Sequence, residues 1–124
     1  PEIREMAAKR LVEVAQGTAL AHGAVAEVHY HRGYPVTVNH AEQTDFAASV
    51  AAKVVGDTRV ETNAPPKMGA EDFSYMLEAR PGAFIFLGVG ATANLHHPAY
   101  DFNDEAIPYG ISYWVNLAET ALPA

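Results

Sequence analysis

The feature that most constrains the fold is an apolar run at residues 83–87, Ala-Phe-Ile-Phe-Leu, with no polar residue alternating within it. A strand that exposes one face to water alternates polar and apolar side chains, whereas a strand covered on both faces does not. The run therefore predicts a buried strand in a parallel or mixed sheet that has helices on each side.

Helical patterns surround this run. A first helix is predicted from Pro1, with Glu2 and Glu5 in its first turn, to about His22. A second is predicted to open with Asn39 and Glu42 in a capping arrangement and to end at Gly56. The apolar stripe of the first helix would be Ile3, Ala7, Leu11, Val14 and Thr18, and that of the second Phe46, Val50 and Val54.

Two more helices are predicted in the second half of the chain. A short one opens with Glu71 and Asp72, whose carboxylates favour the positive end of the helix dipole, and ends at Arg80-Pro81-Gly82. The last runs over residues 104–121 with Pro108 in its first turn, where no intrahelical amide bond is lost. Its predicted apolar stripe is Ile107, Ile111, Trp114, Leu117 and Ala121.

Two further strands complete the pattern. Residues 24–30 alternate, with Ala26, Val28 and Tyr30 on one side and Glu27, His29 and His31 on the other. Residues 58–61 form a short strand candidate that Pro65-Pro66 follows. Helices and strands that alternate along the chain predict an α/β fold.

Charge and composition exclude several classes of protein. The 124 residues carry a formal net charge of -7, from 15 acidic and 8 scattered basic residues, which argues against nucleic-acid or anionic-membrane binding. No apolar run is long enough to span a membrane. The chain has no cysteine, so it can supply neither a disulfide nor a thiolate metal ligand, and 49% hydrophobic residues suffice for one domain core.

Residues 95–105, Leu-His-His-Pro-Ala-Tyr-Asp-Phe-Asn-Asp-Glu, place two imidazoles in a loop edged by carboxylates. A histidine beside a proline in an irregular segment is held in a fixed direction, as a metal ligand must be. On chemistry alone a solvated turn is the more common explanation, because a metal site needs three or four ligands.

Three segments carry a resemblance to a known family: residues 33–39 (Gly-Tyr-Pro-Val-Thr-Val-Asn), 68–74 (Met-Gly-Ala-Glu-Asp-Phe-Ser) and 95–104. Their order and spacing resemble the C-terminal part of the metal-dependent amidohydrolases that include hippurate hydrolases, N-acyl-amino-acid amidohydrolases and plant auxin-conjugate hydrolases. Members of that family are much longer than this chain. The resemblance therefore implies a C-terminal fragment, with the general base and most metal ligands upstream.

The resemblance also implies a domain organisation. Residues 1–33 would be the last helix and strand of an inserted α+β lid or dimerisation domain. Residues 34–124 would be the C-terminal part of a zinc-peptidase-like α/β catalytic domain. Both domains would be incomplete, so unpaired sheet edges are expected to be exposed and the isolated chain to associate or to be marginally stable.

For function, the resemblance implies hydrolysis of the amide bond of N-acyl amino acids by a cytoplasmic, homo-oligomeric enzyme. The full-length subunit would hold a pair of divalent metal ions (Zn, Mn, Co or Ni), which the fragment would not retain, and the fragment alone would be inactive. A related dipeptidase or carboxypeptidase, and a non-catalytic association module, are the alternatives.

Site residues follow from the same resemblance. His96 would be a metal ligand and His97 a supporting or solvated residue. Gly69, Ala70 and Glu71 would form part of the substrate pocket wall, although Glu71 and Asp72 also suit a plain helix start. Asp101, Asn103 and Asp104 would orient His96 or cap a helix, and Asn39 would cap one.

A rival metal site is offered by His29 and His31, which share one face of the predicted strand with Glu27. A polar face turned to solvent is the favoured interpretation, because nothing in the family pattern corresponds to this pair.

Overall fold

The structure, a computed structural model, describes residues 2–123. Its α-helices are α1 (Glu2–Ala21), α2 (Ala41–Val55), α3 (Phe73–Ala79) and α4 (Ile107–Ala121), with 3-10 helices at Asp57–Arg59 and Asp104–Ala106. The chain divides into two compact units, the first ending at Pro35 and the second beginning at Val36. All four predicted helices are confirmed within a few residues. The predicted helix opening at Pro1 lies outside the described residues.

In the first unit, hydrogen bonds join α1 to the segment that follows it in the chain. The Arg4 guanidinium donates to the carbonyl of Tyr34 at 3.0 Å, and Arg32 pairs with Glu5 at 2.5 Å. The half-buried row of α1 is Arg4, Ala8, Val12, Ala15 and Ala19. The predicted stripe is therefore wrong by one position, because the returning segment covers the adjacent face and leaves Ile3 77% exposed.

Residues 24–30 do not form the predicted strand in the described chain, although Ala26 and Val28 are half-buried and their neighbours exposed, as the alternation predicted. The physical reason is the absence of a partner. A strand is defined by hydrogen bonds to a neighbouring strand, and no backbone of residues 2–123 runs beside this segment in that manner.

The core of the second unit lies between α2 and α4. Its buried residues include Ala47 and Val50 of α2, Ala106 before α4, and Tyr113 of α4. The predicted face of α2 is confirmed. That of α4 is wrong, because the helix packs through Tyr113 and leaves Trp114 63% exposed.

Residues 82–84 are held by Asn39 and His40 at the start of α2, and no strand of residues 2–123 pairs with them. The Asn39 carboxamide accepts from the Phe84 amide and donates to the Phe84 carbonyl, both at 2.8 Å. The His40 amide donates to the Gly82 carbonyl at 3.0 Å, and the Gly82 amide donates to His40 Nδ1 at 3.2 Å. Asn39 is therefore not the predicted helix cap: His40 occupies that position and makes no side-chain cap bond.

The apolar run has neighbours on both sides, but its cover is incomplete. The Phe84 ring lies 5.7 Å from Phe73 of α3 and 5.2 Å from Phe86, centroid to centroid. A Cβ added to Gly110 of α4 would lie 3.5 Å from the Leu87 side chain. Phe86 nevertheless remains 74% exposed, so the predicted two-sided burial is only partly formed.

The short strand predicted at residues 58–61 is wrong. Asp57–Arg59 is a 3-10 helix, closed by a hydrogen bond of 3.2 Å from the Val60 amide to the Asp57 carbonyl. Gly56, at a φ of 83°, ends α2 and turns the chain directly into it. Local hydrogen bonds satisfy this backbone where no strand is available to do so.

The secondary structure of the described residues is thus helical. None of the three predicted strands forms among them: residues 24–30 and 83–87 have no regular secondary structure, and a 3-10 helix overlaps residues 58–61. Within residues 2–123 no helix is long and apolar enough to cross a membrane.

Replacing Val50 tests the α2–α4 core. Val50 is fully buried, so Val50→Ala should lower the free energy of unfolding by about 2–3 kcal/mol through lost burial and the cavity left behind. Val36→Ala, at an exposed site of the same unit, should change it by less than about 0.5 kcal/mol. Urea denaturation measures both, and equal effects would contradict this description of the core.

Tyr113 makes stability depend on alkaline pH. Burial raises the pKa of its phenol above the ordinary value of 10.0, so the folded state keeps the proton longer than the unfolded state. The stabilisation contributed by the neutral Tyr113 phenol is fully present below the pKa that this group has in the unfolded state. It is lost as pH rises through the pKa of the same group in the folded state. Urea midpoints from about pH 9 to about pH 11 should therefore fall less in Tyr113→Phe than in wild type or in the exposed control Tyr109→Phe. Parallel curves for all three would contradict the assignment.

Candidate functional site

His96 occupies a strained backbone position. Among the described residues it is the non-glycine residue with positive φ, at 66°. It lies in a turn closed by the His97 amide, which donates to the Asn94 carbonyl at 3.1 Å. A second turn follows directly, closed by the Tyr100 amide, which donates to the His97 carbonyl at 2.9 Å. The left-handed conformation costs a non-glycine residue on the order of 1 kcal/mol, so the turns hold an exposed imidazole against its backbone preference.

His97 has a local structural role. Its Nδ1 accepts a hydrogen bond of 3.1 Å from the Ala99 amide, which fixes the ring within the turn. No hydrogen bond to the His96 ring exists within residues 2–123. Of the two imidazoles, His96 is therefore the one without a competing partner in the described chain.

Glu71 starts α3. Its carboxylate accepts from the Phe73 amide at 3.2 Å, and its carbonyl accepts from the Ser74 hydroxyl at 2.7 Å. Ser74 is fully buried, which anchors this turn to the core. The helix-start interpretation accounts for Glu71, while Gly69 and Ala70 lie in the exposed coil before it.

The polar residues after the histidines serve the backbone. The Asn103 side chain accepts from the Glu105 amide at 3.0 Å, which caps the 3-10 helix, and donates to the Val89 carbonyl at 3.3 Å. Thr92 donates its hydroxyl to the Asp101 carbonyl at 3.1 Å. The predicted capping role is thus confirmed for Asn103. In the part of the chain described, no hydrogen bond runs from Asp101 or Asp104 to His96.

His29 and Glu27 pair with each other on the surface of the first unit. His29 Nε2 lies 2.8 Å from Glu27 Oε1, and both side chains are mostly exposed. This exposed ion pair agrees with the interpretation of the segment as a polar face turned to solvent, which was favoured over a metal site.

In the described part of the chain, the side chains that could bind a metal ion are not clustered. Residues 2–123 contain no group of three or more His, Asp or Glu side chains that could hold an ion. A zinc centre needs three or four protein ligands, so the described donors do not by themselves fit a metal ion. His96 can supply at most one imidazole to a site completed by other residues.

A cavity of about 340 Å³ lies elsewhere in the second unit, between α2, α4 and residues 82–85. Its lining is almost entirely apolar and includes one polar residue, Gln43. Its aromatic members are Phe46, Phe73, Phe84, Tyr113 and Trp114. None of the candidate site residues lines it. Its position between α2 and α4 makes it continuous with the core of the second unit.

Sequence reasoning missed the hydrogen bonds from Asn39 and His40 to residues 82–84. These partners are separated by 45 and 42 positions in the chain, and a single sequence carries no signal of that distance. An Asn-His pair placed directly before a helix is ordinarily interpreted as a cap.

Comparison with known proteins identifies relatives along nearly the whole chain. The model of peptidase family M20/M25/M40 matches residues 4–120. A hippurate hydrolase of Campylobacter jejuni is 32% identical over 94% of this chain and 30% of its own length. An N-acetylcysteine deacetylase of Bacillus subtilis is 33% identical over 98% of this chain and 31% of its own.

A third relative, an N-acetyldiaminopimelate deacetylase of Pediococcus pentosaceus, is 35% identical over 92% of this chain and 29% of its own length. No solved structure matches. The chain spans about 30% of the length of these curated relatives.

Two serines test how firmly the Glu71 turn is built into the core. Ser74→Ala removes a buried hydroxyl that donates to the carbonyl three residues earlier, and should cost about 1 kcal/mol of unfolding free energy. Ser49→Ala removes the same bond, Oγ to the Phe46 carbonyl at 2.7 Å, at an exposed site, and should cost less than about 0.5 kcal/mol. Denaturant titration compares the two, and a larger loss at Ser49 would contradict the placement of this turn.

Proposed function

The chain belongs to peptidase family M20/M25/M40, and from that premise we propose that it forms part of a metal-dependent amidohydrolase that cleaves the amide bond of N-acyl amino acids. The observation that carries the proposal is the family match over residues 4–120, together with the activities for which the relatives are named. Two are deacetylases of N-acetylated amino acids, and a third is a hydrolase of hippurate, which is N-benzoylglycine.

Within this proposal, His96 supplies one metal ligand and the remaining ligands come from polypeptide beyond this chain. Two features support His96 over His97: its backbone is held at positive φ, and the Nδ1 of His97 is already engaged by Ala99. When bound, divalent ions such as Zn, Mn, Co or Ni polarise the amide carbonyl and lower the pKa of a bound water. Because the described donors do not complete a site, no catalytic step is assigned to this chain.

Gly69, Ala70 and Glu71 are proposed to form part of the substrate pocket wall. The two hydrogen bonds that fix Glu71 at the start of α3, one to its carboxylate and one to its main-chain carbonyl, support a positioning role. The general base is proposed to lie outside this chain.

In the larger molecule, we propose that the extended segments at residues 24–30 and 83–87 become strands of α/β sheets. Residues 1–33 would belong to a lid or dimerisation domain and residues 34–124 to the catalytic domain of a cytoplasmic homo-oligomer. Support comes from the apolar run itself, whose Phe86 lacks cover. Flanking strands would supply backbone hydrogen bonds, and helices on the faces of the sheet would cover Phe86.

A related dipeptidase or carboxypeptidase is the alternative within the same family. A non-catalytic association module is the alternative outside enzymology, and one observation favours it: large apolar side chains of α4 and of residues 83–87 are exposed. Substrate hydrolysis separates these possibilities.

The test is amino-acid release from N-benzoylglycine, N-acetylcysteine and a dipeptide panel, with added Mn²⁺ or Zn²⁺. The 124-residue chain is compared with a form extended by its upstream coding region. The proposal expects release from N-acyl amino acids by the extended form alone. Release of amino acids only from dipeptides would favour the peptidase. Hydrolysis by the 124 residues alone would overturn the assignment of the missing ligands to other polypeptide.

The role of His96 is tested in the extended form. His96→Gly removes the imidazole but tolerates the positive φ, so the turn is preserved where alanine would strain it. Elemental analysis should show the loss of one metal ion per subunit, and activity should fall at least about a hundredfold. The matched control His31→Ala should retain both metal and activity. Unchanged metal content in His96→Gly would contradict the ligand assignment.

A further inference from the structure

The loop that carries the two adjacent histidines, residues 89–103, is closed at its base by two side chains. The Asn103 carboxamide donates to the Val89 carbonyl at 3.3 Å, which joins the last residue of the loop to the first. Inside that bond, the Thr92 hydroxyl donates to the Asp101 carbonyl at 3.1 Å. A loop of this length whose ends lie together is an Ω-loop, a class that is frequently functional. We call residues 89–103 the histidine loop and these two bonds its ties.

Further hydrogen bonds run inside the histidine loop, above its ties. The His97 amide donates to the Asn94 carbonyl at 3.1 Å, and His96 lies in the turn that this bond closes, at a φ of 66°. The Tyr100 amide donates to the His97 carbonyl at 2.9 Å, and the Ala99 amide donates to His97 Nδ1 at 3.1 Å. Each of these bonds, like both ties, joins two residues of the loop. The loop is therefore held by bonds that need no residue outside it.

The two ends of the Asn103 carboxamide serve different structures. Its oxygen accepts from the Glu105 amide at 3.0 Å and caps the 3-10 helix that precedes α4, while its nitrogen donates to the Val89 carbonyl. A backbone amide requires an acceptor and a backbone carbonyl requires a donor, so both partners fix the orientation of the carboxamide. A carboxylate can accept but cannot donate, so Asn103→Asp keeps the cap and removes the tie.

We propose that Asn103 and Thr92 are positioning residues for His96, because their ties close the histidine loop and thereby fix the turn that holds His96 at positive φ. A left-handed backbone is unfavourable for a residue other than glycine, so the turn relaxes when the ends of the loop part. This role acts through the backbone of the loop and not through a bond to the imidazole. Its consequence for hydrolysis rests on the proposed function, which places His96 in the active site, whereas the closure of the loop does not.

Hydrogen exchange tests the closure of the loop. Mass spectrometry of the extended form follows the amides of residues 94–101, of which His97, Ala99 and Tyr100 donate hydrogen bonds within the loop. Asn103→Asp should make these amides exchange about five- to tenfold faster, because one hydrogen bond that keeps the loop closed is lost. The amides of α4 should exchange as in wild type, because the cap is kept.

Variants at the second tie and at a matched asparagine complete this comparison. Thr92→Val removes the hydroxyl but keeps the branched shape, and should speed exchange of the loop, whereas Thr92→Ser keeps a hydroxyl and should restore slow exchange. Asn116→Asp is the matched control, because it removes the same kind of bond, from the carboxamide to the Ser112 carbonyl at 2.8 Å, within α4. It should leave exchange of the histidine loop unchanged.

Hydrolysis of N-acetylcysteine and N-benzoylglycine by the same extended variants tests the positioning of His96. In Asn103→Asp and Thr92→Val, kcat should fall about tenfold or more, because a displaced His96 disturbs the geometry of the site. KM should change far less, since the proposed pocket wall at residues 69–71 is untouched. Thr92→Ser should recover most of kcat. Val50→Ala weakens the core without touching the loop and should retain kcat, which separates positioning from loss of stability.

Unchanged exchange of the loop in both Asn103→Asp and Thr92→Val would overturn its closure by these side chains. Faster exchange with unchanged kcat would overturn the positioning of His96, as would an equal loss of kcat in Val50→Ala. An extended wild type that hydrolyses none of the substrates would contradict the proposed function, and the exchange comparison then decides the closure of the loop by itself.

Discussion

The pair of hydrogen bonds between the Asn39 carboxamide and the Phe84 backbone is the interaction on which the second unit depends. It joins the start of α2 to an apolar segment that has no neighbouring strand in the described residues. From that segment the chain continues through Val89, held by Asn103, and Thr92, bonded to the Asp101 carbonyl, to the turn of His96. A side chain thus performs what a sheet ordinarily does: it satisfies backbone groups and fixes the direction of the site loop.

The helices could be predicted from the sequence because their signals are local. Gly56 after α2, Pro108 near the start of α4 and the carboxylate of Glu71 before α3 each act within one turn. The buried faces of α1 and α4 were less predictable. Their apolar residues cover more than one face, and the face that is buried depends on which neighbour packs there, as Tyr113 and Trp114 illustrate.

Strands could not be predicted from local sequence signals in the same way, because a strand forms only beside a hydrogen-bonded neighbouring strand. Residues 24–30 and 83–87 have the composition and spacing of strands, but in the described part of the chain they belong to no helix and no strand. The chain spans about 30% of the length of its relatives, and the neighbours of a strand in a sheet can lie far away in sequence.

The candidate site also combines features that the sequence predicted with features that only the structure shows. Motif resemblance selected His96, and the structure adds a physical distinction between it and His97, in the positive φ of one and the engaged Nδ1 of the other. No sequence pattern indicated the positive φ, which occurs within the turn that the His97 amide closes on the Asn94 carbonyl. The Glu71 turn, in contrast, is explained by helix capping, a role that its position before an apolar helix already suggested.

Amide hydrogen exchange of residues 82–87, measured in dilute monomeric solution, tests the central claim most directly. The account predicts that the amides of Gly82 and Phe84 exchange slowly, because His40 and Asn39 accept them, while those of Ala83, Ile85 and Leu87 exchange freely. Uniform exchange along the segment, or protection of Ile85 in place of Phe84, would contradict a strand held at one edge by side chains.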